Sequence, residues 1–264
     1  MLAIRDFVDQ LSRPVSVVFP PLRIISIVPS QTELLFDLGL DREVLAVTGF
    51  CNHPADWVKA KIKVGGTKNL NIERIISLKP DLIIGNKEEN DRGEIEFLMQ
   101  QFPVWMSDIV NLPDAICMIT AIGELVNKPN QAQLLACNIQ ADFASLYLPQ
   151  KPVRVAYLIW KGPYMAACRD TFIDDMLQRC GLLNVFTASR YPEVTVDELY
   201  RRNPDVIMLS SEPYPFKEKH AEVLRKALPG AKIVLVDGEM FSWYGSRLLK
   251  AVAYFNNLIK ILKC

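Results

Sequence analysis

The chain has 264 residues, half of them hydrophobic, and its 30 basic residues are balanced by 30 acidic ones. Because the net charge is zero, no global electrostatic attraction draws it to nucleic acid or to an anionic membrane surface. Its apolar runs fall short of the ~20 residues that a helix needs to span a bilayer. These properties exclude nucleic-acid-binding and membrane-spanning classes, and the length suffices for two lobes of ordinary size.

The first half of the chain alternates strands and short helices. Residues 5–19 alternate weakly around the turn Ser12-Arg13-Pro14, which predicts a β-hairpin. The stretch 71–86 predicts a short helix that is ended by Pro80 and followed by a buried strand. The other elements predicted here are strands over 23–28, 44–48 and 104–106 and helices over 33–38 and near 94–101.

A long helical pattern runs from about residue 113 to residue 148 and is interrupted once, at Asn127-Lys128-Pro129. It is too long for a local crossover between neighbouring strands, so we expect a stiff connector to a second lobe. The second half then repeats the alternation of the first. Its predicted elements are strands over 153–160, 205–209 and 233–236 and helices over 171–181, near 218–228 and over 246–263.

Two stretches share one pattern, NIERIISLKPDLIIGN over 71–86 and TVDELYRRNPDVIMLS over 195–210. In each, a helix-capping residue is followed by a carboxylate, an apolar-periodic helix, a proline and a β-branched run. The carboxylates, Glu73 and Asp197, stand 197 − 73 = 124 residues apart, and the prolines keep the same separation. This repeat predicts two similar α/β lobes with parallel sheets, which bind ligands outside the carboxyl ends of their strands.

The segment RIISIVPSQTE over 23–33, together with NIER over 71–74 and KPDLII over 79–84, resembles the cobalamin and iron-siderophore branch of the substrate-binding proteins of ABC importers. The resemblance covers nearly the whole chain. It implies two Rossmann-like lobes with parallel sheets joined by one long backbone helix, the class III periplasmic-binding-protein fold. The implied domains are an N-terminal lobe over 1–110, a connecting helical region over 111–149 and a C-terminal lobe over 150–264.

The resemblance also implies roles for single residues. In the vitamin B12-binding members, one glutamate on each lobe contacts arginines of the membrane permease, and these acids correspond to Glu73 and Asp197. Two acids at helix starts on separate lobes also suit a two-fold partner, and the alternative is that they only complement helix dipoles. Phe50 and Tyr191 correspond to aromatic rings against the corrin, whereas Thr67 stands where the family has a tryptophan.

Further candidates for ligand binding lie in loops that follow strand ends. Cys51, Asn52 and His53 place a thiol and an imidazole two residues apart, and either group could ligate cobalt, iron or zinc. Hydrogen bonding within the loop is the alternative for His53. Lys68 lies in the loop before the first repeat copy, and Glu88 lies in the charge run after its strand. A carboxylate there also permits an enzyme, with Glu88 or its neighbour as general base beside a metal.

The second half of the chain carries aromatic residues that lie mostly in loops rich in Pro, Gly and Ser. Aromatic rings in such loops often bind large flat ligands, and Lys161 and Arg169 add positive charge nearby. We therefore expect a surface that fits a corrinoid, haem or a ferric siderophore. The rings are Trp160, Tyr164, Tyr214, Phe216, Phe241, Trp243 and Tyr244.

These patterns predict a substrate-binding protein that captures a metal-bearing small molecule between two lobes for ABC-type import, as a monomer and with no required cofactor. An intracellular carrier or sensor of the same ligand class is the first alternative, and a metal-dependent enzyme on this fold is the second. The N-terminal sequence lacks the basic start and apolar core of a secretory signal. We therefore expect the cytoplasm if Met1 is the native start, and the periplasm or cell envelope, with an ABC permease as partner, if a signal was removed.

Overall fold

The computed structural model describes residues 3–262, which divide into two compact units. The domain boundaries predicted after residues 110 and 149 stay a prediction. The first unit comprises the described part of Met1–Ile109 together with Pro113–Asn138 and Tyr244–Arg247. The second unit comprises Val110–Leu112, Ile139–Trp243 and the described part of Leu248–Cys264.

The first unit begins with the predicted β-hairpin and continues with alternating strands and helices. Four short elements, over Ala55–Lys59, Ile62–Lys63, Gly65–Gly66 and Asn69–Leu70, are absent from the sequence prediction, because runs of two to five residues are too short to show a period. The elements are β1 (Ala3–Val8), β2 (Pro14–Phe19), β3 (Ile24–Ser26), α1 (Pro29–Asp37), β4 (Val44–Val47), α2 (Ala55–Lys59), β5 (Ile62–Lys63), β6 (Gly65–Gly66), β7 (Asn69–Leu70), α3 (Ile72–Leu78), β8 (Leu82–Asn86), α4 (Arg92–Met99) and β9 (Val104–Ser107).

The main sheet of the first unit is parallel and has the strand order β5-β4-β3-β8-β9. The chain leaves β3 towards β4 and later returns to β8 on the other side of β3, so the strand order reverses between β3 and β8. Every residue of β3, β8 and β9 is buried, as expected for a parallel sheet covered on both faces. Loops at the carboxyl ends of these strands meet at a switch point, where open α/β sheets bind ligands.

The connecting region forms two helices, α5 (Leu112–Leu125) and α6 (Pro129–Ala144), so the predicted backbone helix is not continuous, and its break falls at the predicted interruption Asn127-Lys128-Pro129. Asn127 lies between them with a left-handed φ of 60°, which is incompatible with a continuous α-helix. Pro129 then begins α6, where its missing N–H costs nothing. The boundary between the two units falls inside α6.

The second unit repeats the plan of the first. The strand Val153–Trp160 pairs in parallel with Leu182–Asn184 on one side and Val206–Ser210 on the other, and Lys232–Val236 continues the sheet. The strands Tyr164–Ala166 and Glu193–Val194 are antiparallel additions. Nowhere in residues 3–262 is a helix long and apolar enough to cross a bilayer. The elements are β10 (Val153–Trp160), β11 (Tyr164–Ala166), α7 (Phe172–Arg179), β12 (Leu182–Asn184), β13 (Glu193–Val194), α8 (Val196–Arg202), β14 (Val206–Ser210), α9 (Glu218–Ala227), β15 (Lys232–Val236), α10 (Gly238–Ser242) and α11 (Leu248–Leu262).

The repeated helix-strand segment has the same local structure in both units. Asn71 caps α3 by accepting an N–H of its first turn at 2.9 Å. Thr195 caps α8 by accepting the N–H of Glu198 at 3.2 Å, and Glu198 accepts the N–H of Thr195 at 2.8 Å, which completes a capping box. Each helix ends on a residue with left-handed backbone, Lys79 at φ 46° and Asn203 at φ 47°. The prolines that follow then prevent the helices from continuing.

After each of these helices, an aspartate ties the following strand to the start of the neighbouring strand of its main sheet, β3 in the first unit and β10 in the second. Asp81 accepts the N–H groups of Leu22 and Arg23, both at 2.8 Å, and Asp205 accepts the N–H of Arg154 at 2.8 Å. The two arginine side chains donate to carbonyls at the C-terminus of the repeat helix in their own unit. A cation at that position also complements the helix dipole. The aspartate of each repeat copy therefore has a structural role in both units.

Candidate functional site

Three loops of the first unit meet near the carboxyl ends of its strands. Phe50, from the loop after β4, is 62% exposed. Its ring lies against the backbone of Gly66, where an added Cβ would come within 3.0 Å of the ring carbon Cε2. A larger residue at this glycine would displace the ring, so the glycine allows Phe50 to approach the loop closely while most of its side chain stays exposed.

The neighbouring part of this surface is polar. The ammonium group of Lys68 donates to the backbone carbonyls of Glu88 and, at 3.2 Å, of Asn90. The side-chain amide of Asn90 donates to the carbonyl of Thr67 at 3.1 Å. These bonds join the loop over 65–68 to the loop after β8, and together with Phe50 they define the loop cluster of the first unit. The structure thus brings together four predicted site residues: Phe50, Thr67, Lys68 and Glu88.

Cys51 does not belong to this surface, and its predicted contact with ligand or metal is corrected. The side chain is 3% exposed, and its sulfur lies 3.2 Å from the hydroxyl of Thr32 and 3.3 Å from that of Thr48. Burial raises the pKa of the Cys51 thiol, so the group stays protonated at neutral pH. A protonated, buried thiol is a poor metal ligand, because the thiolate is the binding form.

The other two residues of that loop remain accessible. Asn52 is exposed and His53 is half-buried, so their predicted contact with ligand stays a prediction. Within residues 3–262, no group of three His, Cys, Asp or Glu side chains is placed to hold a metal ion.

In the second unit, three predicted rings form an aromatic cluster at the end of β10. Trp160, which is 40% exposed, meets Tyr214 edge to face with ring centroids 5.6 Å apart and an interplanar angle of 68°. Tyr164 lies on β11 beside them, and partial burial together with the neighbouring Tyr214 raises its pKa. The strand end and the loop after β14 thereby present Trp160, Tyr164 and Tyr214 as one surface, which we call the aromatic cluster.

Tyr214 rests on two buried rings. Its centroid is 4.8 Å from that of Phe216 and 5.4 Å from that of His220. His220 is only 7% exposed, although the charged sequence of α9 indicates a surface position. His220 is nevertheless buried, because it shares the inner face of the helix with Ala221 and Leu224. The spacing of His220 and Leu224, one helical turn apart, is the sequence signal that indicates this face.

Arg169 and Tyr191 flank this part of the second unit. Arg169 is exposed, and its backbone carbonyl accepts the N–H of Arg190 at 2.7 Å. The guanidinium of Arg190 lies 5.6 Å from the ring centroid of Tyr191, within cation–π range. Tyr191 is close in sequence to β13, which pairs with the strand that carries Tyr164. Ligand contact by Arg169 and Tyr191 stays a prediction.

Phe241 is a core residue, and its predicted place in the ligand site is wrong. The ring belongs to α10, is fully buried, and packs with centroids 5.0 Å from Tyr157 and 4.8 Å from Phe255. A Gly-rich sequence without clear periodicity predicts a loop here, whereas the short helix α10 turns the ring inward. Trp243 and Tyr244 are 6% and 5% exposed, and their contact with ligand stays a prediction.

The carboxylate of Glu212 anchors the end of α10 within the second unit. Its Oε1 accepts the indole N–H of Trp243 at 3.0 Å and the hydroxyl of Ser242 at 2.5 Å. Burial raises the pKa of Glu212, and the nearby carboxylates of Glu239 and Asp237 raise it further. The indole of Trp243 is therefore hydrogen-bonded to a carboxylate that can be protonated.

A buried ion pair in the first unit has no counterpart in the sequence prediction. Arg247 donates to both carboxylate oxygens of Glu33, at 2.8 Å and 2.9 Å, and both side chains are 6% exposed. Beside it, the hydroxyl of Ser246 donates to Asp37. Glu33 and Arg247 are 214 residues apart in sequence, so no local pattern in a single sequence could reveal the pair.

The two acids predicted to meet a partner occupy equivalent places. Glu73 is the second residue of α3 and Asp197 is the second residue of α8, and both side chains are exposed. Their positions in the first helical turn also complement the helix dipoles. Docking of a partner on them stays a prediction.

Comparison with known proteins identifies the family of the chain. Residues 24–228, most of the chain, match the periplasmic binding protein family. The chain belongs to the periplasmic binding protein family. It is a family of binding proteins rather than enzymes, and the predicted resemblance to importer substrate-binding proteins is thereby confirmed.

Individual relatives agree with this membership. A vitamin B12-binding protein of Pectobacterium carotovorum is 27% identical over 241 residues, which cover 88% of this chain and 86% of that protein. The periplasmic vitamin B12-binding protein of Vibrio cholerae superposes with a TM-score of 0.76 at 24% identity, over 92% of this chain and 98% of that one. A periplasmic haem-binding protein of Roseiflexus sp. RS-1 gives a TM-score of 0.78 at 20% identity, over 91% and 97% of the two chains. These similarities confirm the predicted α/β fold of the class III periplasmic binding proteins.

Proposed function

We propose that this protein is the substrate-binding component of an ABC-type importer and captures a metal-bearing small molecule: a corrinoid, haem or a ferric siderophore. Membership of the periplasmic binding protein family supports capture and delivery as the task. The similarity to vitamin B12-binding proteins over most of the chain supports a large metal chelate as the ligand. The observation that carries the proposal is the aromatic cluster of Trp160, Tyr164 and Tyr214, which presents ring surface to solvent.

The physical basis is the match between exposed rings and a flat, largely apolar ligand. An aromatic pair contributes about 0.5–1.5 kcal/mol in addition to the free energy gained from the apolar area that it buries. The loop cluster of the first unit, taken by itself, presents one exposed ring, Phe50, and polar groups that can fix the orientation of a ligand. Ligand sites generally combine apolar lining with a few such polar groups.

In this role we place the protein in the periplasm or at the cell envelope, as a monomer that presents Glu73 and Asp197 to an ABC permease. Each acid stands at an exposed helix start, and arginines on a two-fold partner would complement both charges. An intracellular carrier of the same ligand would need no such partner. Cell fractionation and size-exclusion chromatography test the location and the oligomeric state.

The deciding experiment is a thermal-shift titration of the purified protein with cyanocobalamin, cobinamide, haemin and several ferric siderophores, with absorbance read on the same samples. A ligand that binds only the folded state stabilises it by about 2.7 kcal/mol at a hundredfold excess over the dissociation constant. We expect a rise in Tm with one ligand class and recovery of the ligand unchanged. No rise with any of these ligands, or chemical turnover of the bound one, would contradict the proposal.

Substitution of Trp160 tests whether the aromatic cluster is the binding surface. We expect Trp160→Ala to weaken binding up to about tenfold, because it removes an exposed ring from the cluster while leaving the core intact. Tyr200→Ala is the matched control, since Tyr200 is an aromatic residue that is 70% exposed on α8. Equal affinity of the two variants would show that the aromatic cluster is not the binding surface.

A further inference from the structure

The hydrogen bonds of His220 fix its tautomer. His220 is the third residue of α9, and its Nδ1 lies 2.9 Å from the backbone N of Lys217, the N-cap residue. A backbone N–H can only donate, so Nδ1 accepts and carries no proton. In the neutral ring the proton is therefore on Nε2. His220 thus takes the place of the Glu or Gln that closes a capping box at this position.

The second nitrogen of the same ring contacts the aromatic cluster. Nε2 of His220 lies 3.4 Å from Oη of Tyr214, and the imidazole packs 5.4 Å from the Tyr214 ring. Tyr214 in turn meets Trp160 edge to face. One buried side chain therefore connects the start of α9 with the exposed ring of Trp160, through two successive contacts.

Protonation would directly break the capping contact of His220 with Lys217, and the contact of Nε2 with Tyr214 would be lost when the ring moves away from that N–H. A second proton must go to Nδ1, where it would face the N–H of Lys217, so that two donors oppose each other. The charged groups around the ring are Lys161 after β10 and Lys217 and Lys219 at the start of α9, with Tyr214 on the remaining side. Burial, followed by these three ammonium groups, lowers the pKa of His220. The ring is accordingly neutral at pH 7, and its protonated form is unfavourable in this arrangement.

We propose that His220 is a positioning residue that holds Tyr214, and through it Trp160, in the binding geometry while neutral and releases them when it is protonated. The aromatic cluster then changes shape in acid. That this change releases a ligand rests on the proposed function. That the aromatic cluster changes shape in acid does not depend on it.

The first part of the test needs no ligand. The chain has only two histidines, so imidazole carbon and nitrogen NMR shifts can be assigned by comparison with His220→Gln. We expect the Nε2-protonated tautomer for His220 at pH 8. We also expect tryptophan emission to shift with a midpoint below the ordinary histidine value of about 6.5. The shift should vanish in His220→Gln and in Trp160→Phe. A proton on Nδ1 at pH 8, or an emission shift that persists in His220→Gln, would overturn the proposal.

The second part measures affinity for the ligand that passes the thermal-shift test, at pH 7.5 and pH 5.5. We expect the wild type to lose about threefold to tenfold in affinity at the lower pH, the range given by one hydrogen bond. His220→Gln should bind equally at both values, because glutamine keeps the N3 acceptor and does not titrate. His220→Ala should bind weakly at both.

The two proposals fail in different ways. If no ligand in the panel binds, the proposed function falls while the emission shift and the tautomer still decide the role of His220. If a ligand binds and the wild type loses no more affinity in acid than His220→Gln, the role of His220 is refuted and the proposed function stands.

Discussion

Replacing Arg247 with methionine removes a buried counter-ion from Glu33 in the first unit. The guanidinium donates to both carboxylate oxygens at 2.8 Å and 2.9 Å, and neither side chain is more than 6% exposed. Removal of one partner from a buried pair costs about 3–5 kcal/mol, because the remaining charge keeps its desolvation penalty. For a chain of this size, 1 kcal/mol corresponds to roughly 2–4 °C in Tm. We therefore expect Arg247→Met to lower Tm by roughly 6–20 °C.

Differential scanning calorimetry at pH 7 measures this effect against a matched control. Arg92 forms an ion pair with Glu96 on α4, but these side chains are 90% and 57% exposed. Solvent screens such a pair, so Arg92→Met should lower the stability by no more than about 0.5 kcal/mol. The two substitutions are chemically identical and differ only in the burial of the pair that they break.

A double variant tests the reasoning itself. Glu33→Leu combined with Arg247→Met replaces both charges with apolar groups, and such replacements of buried pairs are often neutral or stabilising. We expect the double variant to recover most of the Tm that Arg247→Met loses. If Arg247→Met melts within 2 °C of the wild type, or if the two substitutions are simply additive, the pair does not stabilise the fold as argued.

Two further predictions concern titration and backbone strain. Because the pKa of Glu212 is raised in the folded state, its contribution to stability is fully present below the unfolded value of about 4.3 and is lost as the pH rises through the folded value. In thermal unfolding from pH 4 to pH 7.5, the Tm of Glu212→Gln should therefore rise relative to that of the wild type as the pH increases. A difference in Tm that does not change with pH would contradict this. Lys79→Gly should raise stability by about 0.5–1 kcal/mol in urea unfolding, since Lys79 has φ 46°. Asn203→Gly, at φ 47°, should change it less, because asparagine tolerates this region.

Features that depend on neighbouring residues were predictable. The caps at Asn71 and Thr195, the helix stops before Pro80 and Pro204, and the buried strands after them follow from residue preferences within about ten positions. The duplicated pattern then extends the same prediction to the second unit. Because each step is local, the alternation of strands and helices could be predicted over most of the chain, although helix ends move by one to four residues.

Features that depend on distant contacts were not predictable. Phe241 stands in a sequence with loop character, and only packing against Tyr157 and Phe255 makes it a core residue. His220 stands in a charged helix, and its burial depends on the loop that carries Tyr214. The sequence indicates which rings are available, but it does not show which of them the fold leaves exposed.

The two units share a topology and differ in what they present to a ligand. The aromatic cluster of the second unit offers three rings, and stacking on rings responds to flatness and area rather than to the identity of the ligand's edge. The loop cluster of the first unit offers one ring, Phe50, beside Thr67 at the position where the resemblance implies a tryptophan. Its remaining groups are polar and fixed by bonds from Lys68 and Asn90. A site that hydrogen-bonds its ligand rejects analogues that leave those groups unpaired far more strongly than a hydrophobic surface does. We therefore expect the aromatic cluster of the second unit, taken by itself, to bind flat ligands with little discrimination among them.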